Sequence, residues 1–178
     1  MTIRRLLVAN RGEIARRVFR TAKEMGIFTV AVHSDGDRDA PFVSDADLGV
    51  ALGGTTATES YLDGEKILAA AISVGADAIH PGYGFLSENA NFAKAVTDAG
   101  ITWIGPPPPA IAAMGDKLAA KRTMVDAEVP TLPSIEVSES VDVGAIAEEI
   151  GFPLLVKASA GGGGKGMRVV DDAADLEA

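Results

Sequence analysis

The sequence predicts an α/β protein: a doubly wound parallel sheet, followed by a segment of different character built around a glycine-rich hairpin. Three observations predict it. Short apolar runs alternate with stretches of helical period from Arg4 to Ile104, the pattern of a parallel sheet with helices on both faces. Gly105-Pro106-Pro107-Pro108-Pro109 then interrupts the alternation as a stiff connection and a natural domain boundary. Beyond it, four consecutive glycines sit between two apolar runs, with lysines at both ends.

Residues 4–10 read as a buried parallel strand, and Arg11-Gly12-Glu13 as a tight turn. Ile14, Ala15, Val18, Phe19 and Ala22 recur with helical period, and Gly26 ends that helix. Phe28–His33 is a second strand, followed by the polar loop 34–39. Leu48–Leu52 makes a third strand. Residues 62–74 form an amphipathic helix with Leu62, Ile67, Leu68, Ala71 and Ile72 apolar. Ala76–His80 is a fourth strand, Asn89–Ala99 a helix and Ile101–Ile104 a fifth strand. Ala110–Ala127 reads as helix, broken near Met114-Gly115-Asp116, where Asp116 suits an N-cap and sets Lys117 in the turn beyond it. Pro130 and Pro133 end it, Val141–Ile150 supplies another helix, and a new one starts at Asp172.

The 178 residues are 47% hydrophobic, enough for a packed core. Lys and Arg total 16 against 25 Asp and Glu, a formal net charge of −9. This balance argues against nucleic-acid or anionic-membrane partners, so any phosphate must be held by local cations. No cysteine is present, which excludes disulfides and thiolate chemistry. No signal peptide and no run near the ~18 apolar residues of a membrane span is visible. The expectation is a cytoplasmic protein.

Pro153–Val156 reads as a short strand ending at Lys157; Gly161, Gly162, Gly163 and Gly164 follow, then Lys165, Gly166 and a second strand, Met167–Val170. Successive glycines let backbone N–H groups approach an anion closely, and Lys157, Lys165 and Arg168 make a polyphosphate the matching guest. A P-loop requires Ser or Thr after the lysine and then a helix; here Gly166 and a strand follow. The spacing Gly161-x-Gly163-x-x-Gly166 fits a dinucleotide fingerprint, but that motif opens a helix. In a protein-kinase loop the phosphate lysine comes after the glycines, whereas Lys157 comes before them. A flexible linker is the bland alternative. Strand, lysine, glycine hairpin and strand resemble the phosphate lid of ATP-grasp enzymes.

Five segments together carry a more specific resemblance. They are Val8-Ala-Asn-Arg-Gly-Glu-Ile-Ala15, Ala78-Ile-His-Pro-Gly-Tyr-Gly-Phe-Leu-Ser-Glu-Asn89, Ile104-Gly-Pro106, Met114-Gly-Asp-Lys117 and Lys157-Ala-Ser-Ala-Gly-Gly-Gly-Gly-Lys-Gly-Met167. In this order they resemble biotin carboxylases, the ATP-grasp components of acyl-CoA and pyruvate carboxylases, across essentially the whole chain. Ala31–Asp39 looks more like the acyl-CoA group. The resemblance implies a Rossmann-like N-terminal domain over residues 1–113 and the beginning of an ATP-grasp domain, with linker helix and partial lid, over 114–178. It implies that ATP and bicarbonate form carboxyphosphate, whose CO2 passes to protein-bound biotin, in fatty-acid-type metabolism.

Motif by motif, Lys117, Lys157, Gly161–Gly164, Lys165 and Gly166 would bind ATP phosphate, and Tyr83 and Gly84 would lie near biotin. The implied cofactors are ATP and Mg2+, with biotin as the carboxylated substrate. The implied partners are a biotin carboxyl carrier domain, a carboxyltransferase subunit and a second copy of the chain. In the family the metal carboxylates and the base lie beyond position 178. No catalytic or metal-binding residue is therefore expected here, and residues 1–178 alone are expected to be inactive. Two departures stand out: Ala160 replaces a usual glycine, and Asp47-Leu48 replaces a common acidic pair. Another ATP-grasp ligase, of the carbamoyl-phosphate or purine-pathway kind, and a non-catalytic nucleotide-binding or interaction module are the competing readings.

Taken singly, several of these residues have plainer roles open to them. Lys117 could be a surface helix lysine, Lys165 and Arg168 solvated hairpin charges, and Tyr83 a packing aromatic. Asp35 and Asp37 read as turn formers rather than ribose ligands, because the first turn lacks the pyrophosphate glycines. His33 and His80 are too few for a metal cluster, and His80 reads as a hydrogen-bonded structural residue. Arg16, Arg17 and Arg20 form a solvated or subunit-contacting helix face.

Overall fold

The computed structural model describes residues 2–115, 117–135, 137, 143–157 and 167–175. The chain divides into two compact units, Met1–Gly115 and Asp116–Ala178.

The first unit runs β1 (Arg5–Val8), α1 (Gly12–Glu24), β2 (Phe28–His33), α2 (Pro41–Asp45), β3 (Leu48–Ala51), α3 (Gly64–Ser73), β4 (Ala78–His80), α4 (Ala90–Asp98), β5 (Thr102–Trp103) and α5 (Pro108–Gly115). The strands form one sheet in the order β3-β2-β1-β4-β5, with every pair parallel. The doubly wound parallel sheet expected from the alternation of runs is therefore present.

Period-two alternation within β1 decides the two cores. Leu7, and Ala9 just beyond the strand, join Val30, Val32, Ile67, Ala71, Ile79, Phe92 and Val96 on the face covered by α3 and α4. Leu6 and Val8 join Ala15, Phe19, Ala22, Ala31, Phe42 and Ala78 on the face covered by α1 and α2. Since β1 is central and buried on both faces, it reads as a continuous apolar run.

Local chemistry sets the helix starts. The Asp63 carboxylate accepts the Lys66 N–H at 3.0 Å and caps α3. The Asn89 side chain accepts the Phe92 N–H at 2.9 Å and caps α4. The Asp63 cap starts α3 at Gly64, not at Leu62, and the helix turns Ile67, Ala70 and Ala71 inward. Leu62 and Ile72, expected on the apolar face, are 43% and 60% exposed. Three short elements had not been expected: the 3-10 turn Asp35–Asp37 within the polar loop, α2, with a proline in its first turn, and the 3-10 turn Phe85–Glu88.

The second unit contains α6 (Lys117–Asp126), α7 (Val143–Ile150) and the antiparallel pair β6 (Leu154–Lys157) and β7 (Met167–Val170). Helical residues run to Gly115 and resume at Lys117; Asp116, where a break and an N-cap were expected, lies outside the described residues. A 3-10 turn, Ala173–Asp175, stands where a helix from Asp172 was expected. The Asp172 carboxylate accepts the Ala174 N–H there at 2.9 Å.

Candidate functional site

All five strands are parallel, so their carboxyl ends share one edge, and the loops leaving them meet there. The strand order reverses at β1 and β4: the chain goes outward to β3 on one side and to β5 on the other. In open α/β sheets that reversal is where ligands bind, in the crevice beyond the carboxyl ends. Asn10-Arg11-Gly12-Glu13 leaves β1 at this point, and Pro81-Gly82-Tyr83-Gly84-Phe85 leaves β4.

These two loops are bonded to one another. Asn10 is 3% exposed, and its Nδ2 donates to the Pro81 and Tyr83 carbonyls, both at 2.8 Å. Its Oδ1 accepts the Arg11 N–H at 2.9 Å. On the other side of the loop, His80 Nδ1 accepts the Gly82 N–H at 2.9 Å. Burial and, secondarily, the nearby Arg17 charge push the His80 pKa below its ordinary value. The neutral ring that results is the form that can accept this bond. His80 is thus the hydrogen-bonded structural residue expected from the sequence.

Tyr83 projects outward, 59% exposed, with its hydroxyl donating to Glu13 Oε2 at 3.0 Å. That bond, and then the Glu13 charge, raise the phenol pKa. Gly84 has φ +65° and ψ −165°, a conformation open essentially to glycine alone.

A second network joins the loops after β1, β2, β3 and β4. Arg11 pairs with Asp37 at 2.6 Å, and Tyr61 donates its hydroxyl to Asp37 Oδ2 at 2.6 Å. The Ser34 N–H donates to Tyr61 Oη at 3.1 Å, and the Tyr61 ring packs on Phe85 with centroids 5.4 Å apart. Burial pushes the Asp37 carboxyl up, but the bonds from Tyr61 and Arg11 outweigh it and hold it below the usual range. Burial, then the Asp37 bond, push the Tyr61 phenol up to about 12. Asp37 is thereby engaged by protein groups in a loop-locking role.

Arg16, Arg17, Arg20 and Lys23 line an open groove of about 860 Å3 beside Phe42 and Asp45. Arg16 pairs with Asp45, Lys23 with Asp47 at 3.1 Å and Arg17 more loosely with Glu13 at 3.8 Å. Asp47, one of the two departures, also accepts the Thr29 N–H at 2.8 Å and the Thr29 hydroxyl at 2.7 Å.

Of the residues expected at the phosphates, Lys157 ends β6, exposed and in register with Met167. It stands at the mouth of the β6–β7 connection that carries the glycines. Lys117 is the first residue of α6. Gly161, Gly162, Gly163, Gly164, Lys165 and Gly166, with Ala160, lie outside the described residues. Arg168 lies in β7 and donates to the Asp175 carbonyl at 3.2 Å. Among the described residues, no group of three or more His, Cys, Asp or Glu side chains is placed to hold a metal ion. Likewise, among those residues no helix is long and apolar enough to cross a membrane.

Asn10 and Glu13 were not singled out from sequence as site residues. Their only signal was a polar residue directly after a buried strand and an acid in the first helical turn. Their partners lie about seventy residues away along the chain.

An open parallel sheet with its loops gathered at the strand reversal, followed by an antiparallel pair with Lys157 at the end of its first strand, makes an α/β protein with a ligand crevice at the carboxyl edge of the sheet. The sequence profile of the family described as "Biotin carboxylase, N-terminal domain" matches residues 2–111, and the chain belongs to that family. Residues 116–178 match a second profile, "Carbamoyl-phosphate synthase L chain, ATP binding domain". The mitochondrial methylcrotonoyl-CoA carboxylase subunit alpha of Arabidopsis thaliana is 53% identical over 98% of this chain, which covers 24% of that protein. The biotin carboxylase of Pseudomonas aeruginosa is 50% identical over 98% of this chain, which covers 39% of that protein. A biotin carboxylase from Campylobacter jejuni, solved as a β,γ-ATP complex, is 46% identical with a TM-score of 0.91, over 99% of this chain and 40% of that one. The chain thus spans well under half the length of these relatives.

Proposed function

We propose that this chain supplies the N-terminal domain and part of the ATP-grasp lid of a biotin carboxylase. The whole protein would use ATP and bicarbonate, through carboxyphosphate, to carboxylate biotin on a carrier domain. A carboxyltransferase would then pass the carboxyl group to an acyl-CoA. The observation that carries this reading is the tandem match: two family profiles in the order of a biotin carboxylase, with about half of the residues identical to such enzymes.

Division at 1–113 and 114–178 would give each part its own task. In the lid, Lys117 and Lys157 would neutralise ATP phosphate oxygens, and the N–H groups of Gly161–Gly164 and Gly166, with Lys165, would close over them. In the first unit, Tyr83 and Gly84 would border the biotin ring, on the edge where an open α/β sheet presents ligands. Mg2+ would screen phosphate charge when bound, through ligands outside residues 1–178. The α1 arginine face suits a contact with a second copy of the chain, and a cytoplasmic location fits the composition.

The test is ATP cleavage by the full-length protein with and without bicarbonate and free biotin. Cleavage should require bicarbonate and rise with biotin. Lys157→Ala should raise KM for ATP about tenfold or more, from the loss of a charge-assisted hydrogen bond worth about 1.5–3 kcal/mol. Bicarbonate-independent cleavage with an unchanged ATP KM in Lys157→Ala would contradict the reading.

A further inference from the structure

We infer that Asn10 is a positioning residue for biotin: its side-chain amide, set at the strand reversal, fixes the Tyr83–Gly84 loop in its ligand-facing shape. The inference rests on the reading that this loop borders biotin.

Asn10 leaves the end of β1 and bonds across to the loop that leaves β4. The amide is saturated: both Nδ2 protons go to the Pro81 and Tyr83 carbonyls, and Oδ1 takes the Arg11 N–H. This pattern fixes which end of the amide is nitrogen, since two carbonyls face one end and an N–H faces the other. A primary amide satisfies it. Aspartate has the same length but would set a carboxylate against two carbonyl oxygens, and an apolar isostere would leave both without a donor.

The loop is shaped to receive this amide. Gly82 has φ +67°, and a Cβ there would stand 2.7 Å from Asn10 Nδ2, nearer than packed atoms allow. The carbonyl-in turn at Pro81 and Tyr83 follows from that approach. It sets the Tyr83 side chain outward against Glu13 and presents the Gly84 backbone at the crevice. Asn10 is buried with every polar atom of its amide bonded to protein backbone, so it acts through the loop.

The experiment compares Asn10→Asp, Gly82→Ala and Gly84→Ala in the full-length protein, with ATP and free biotin varied separately. Asn10→Asp should raise KM for biotin by about ten- to a hundredfold, the effect of one or two lost hydrogen bonds, with KM for ATP within about twofold of wild type. Gly82→Ala leaves Asn10 in place but crowds its amide, so the same selective rise is expected. It decides the matter if Asn10→Asp does not accumulate as folded protein. A merely structural residue would lower kcat by reducing the active fraction and leave both KM values alone, and that result overturns the inference. A biotin effect in Gly84→Ala without one in Asn10→Asp or Gly82→Ala also overturns it, yet leaves the biotin-loop reading standing. No biotin effect in any variant overturns both.

Discussion

His80 is a titratable residue whose protonation works against its structural role. Its Nδ1 accepts the Gly82 N–H only while deprotonated, and burial with the Arg17 charge depresses its folded pKa below the ordinary 6.5. The unfolded chain therefore takes up the proton first as the pH falls. This contribution to stability is complete above the unfolded value and is lost as the pH drops from there through the folded value. Unfolding midpoints measured from about pH 8 to about pH 5.5 should fall more steeply for wild type than for His80→Gln, whose amide oxygen does not titrate in that range. Parallel profiles would remove His80 from the account. Tyr61 makes a separate case. Its hydroxyl donates to Asp37 and accepts from the Ser34 backbone, so Tyr61→Phe strands a buried N–H and removes a carboxylate partner. The expected loss is about 1–3 kcal/mol by denaturant titration, and a change within a few tenths would contradict the proposed lock.

At the scale of elements, the helix caps and the lid lend themselves to different measurements. Asn89→Ala removes the α4 cap to the Phe92 N–H and should cost about 1 kcal/mol of unfolding free energy, without altering either substrate KM. In the proposed lid, Gly164→Val would add a branched side chain where, on that reading, backbone reaches phosphate. It should raise KM for ATP about ten- to a hundredfold, from one or two lost charge-assisted bonds. A linker would show no such change. The strands were legible from sequence because β1, β2 and β4 are short apolar runs with the signature of burial on both faces. Helix α2 was not: five residues are too few for a period to show. Leu62 and Ile72 misled because hydropathy does not tell which apolar residues of a turn meet the sheet. Asn10 was hidden for a different reason. Its partners are remote in sequence, and only the parallel pairing of β1 with β4 brings them together.

For the whole molecule, the two units differ in how much apolar surface they cover. The first buries both faces of its sheet, whereas in the second Leu155, Val156, Met167 and Val169 are exposed on a two-stranded pair. Two strands alone are marginal, since stability requires further strands or a covering face. In residues 1–178, amide exchange should accordingly be slowest in β1, β2 and β4 and markedly faster in β6 and β7. Equal protection would contradict that ranking. On the proposed reading, in which residues 114–178 supply only part of a lid, no turnover is expected from residues 1–178 alone. The fate of the bicarbonate carbon in the full-length protein distinguishes a biotin carboxylase from other ATP-grasp ligases. Supplied with isotope-labelled bicarbonate, ATP, Mg2+ and biotin, the protein should place the label on biotin as a carboxyl group, detected by mass spectrometry, at about one ADP per carboxylated biotin. Label appearing instead in carbamoyl phosphate, or ATP cleaved with no label on biotin, would contradict the account.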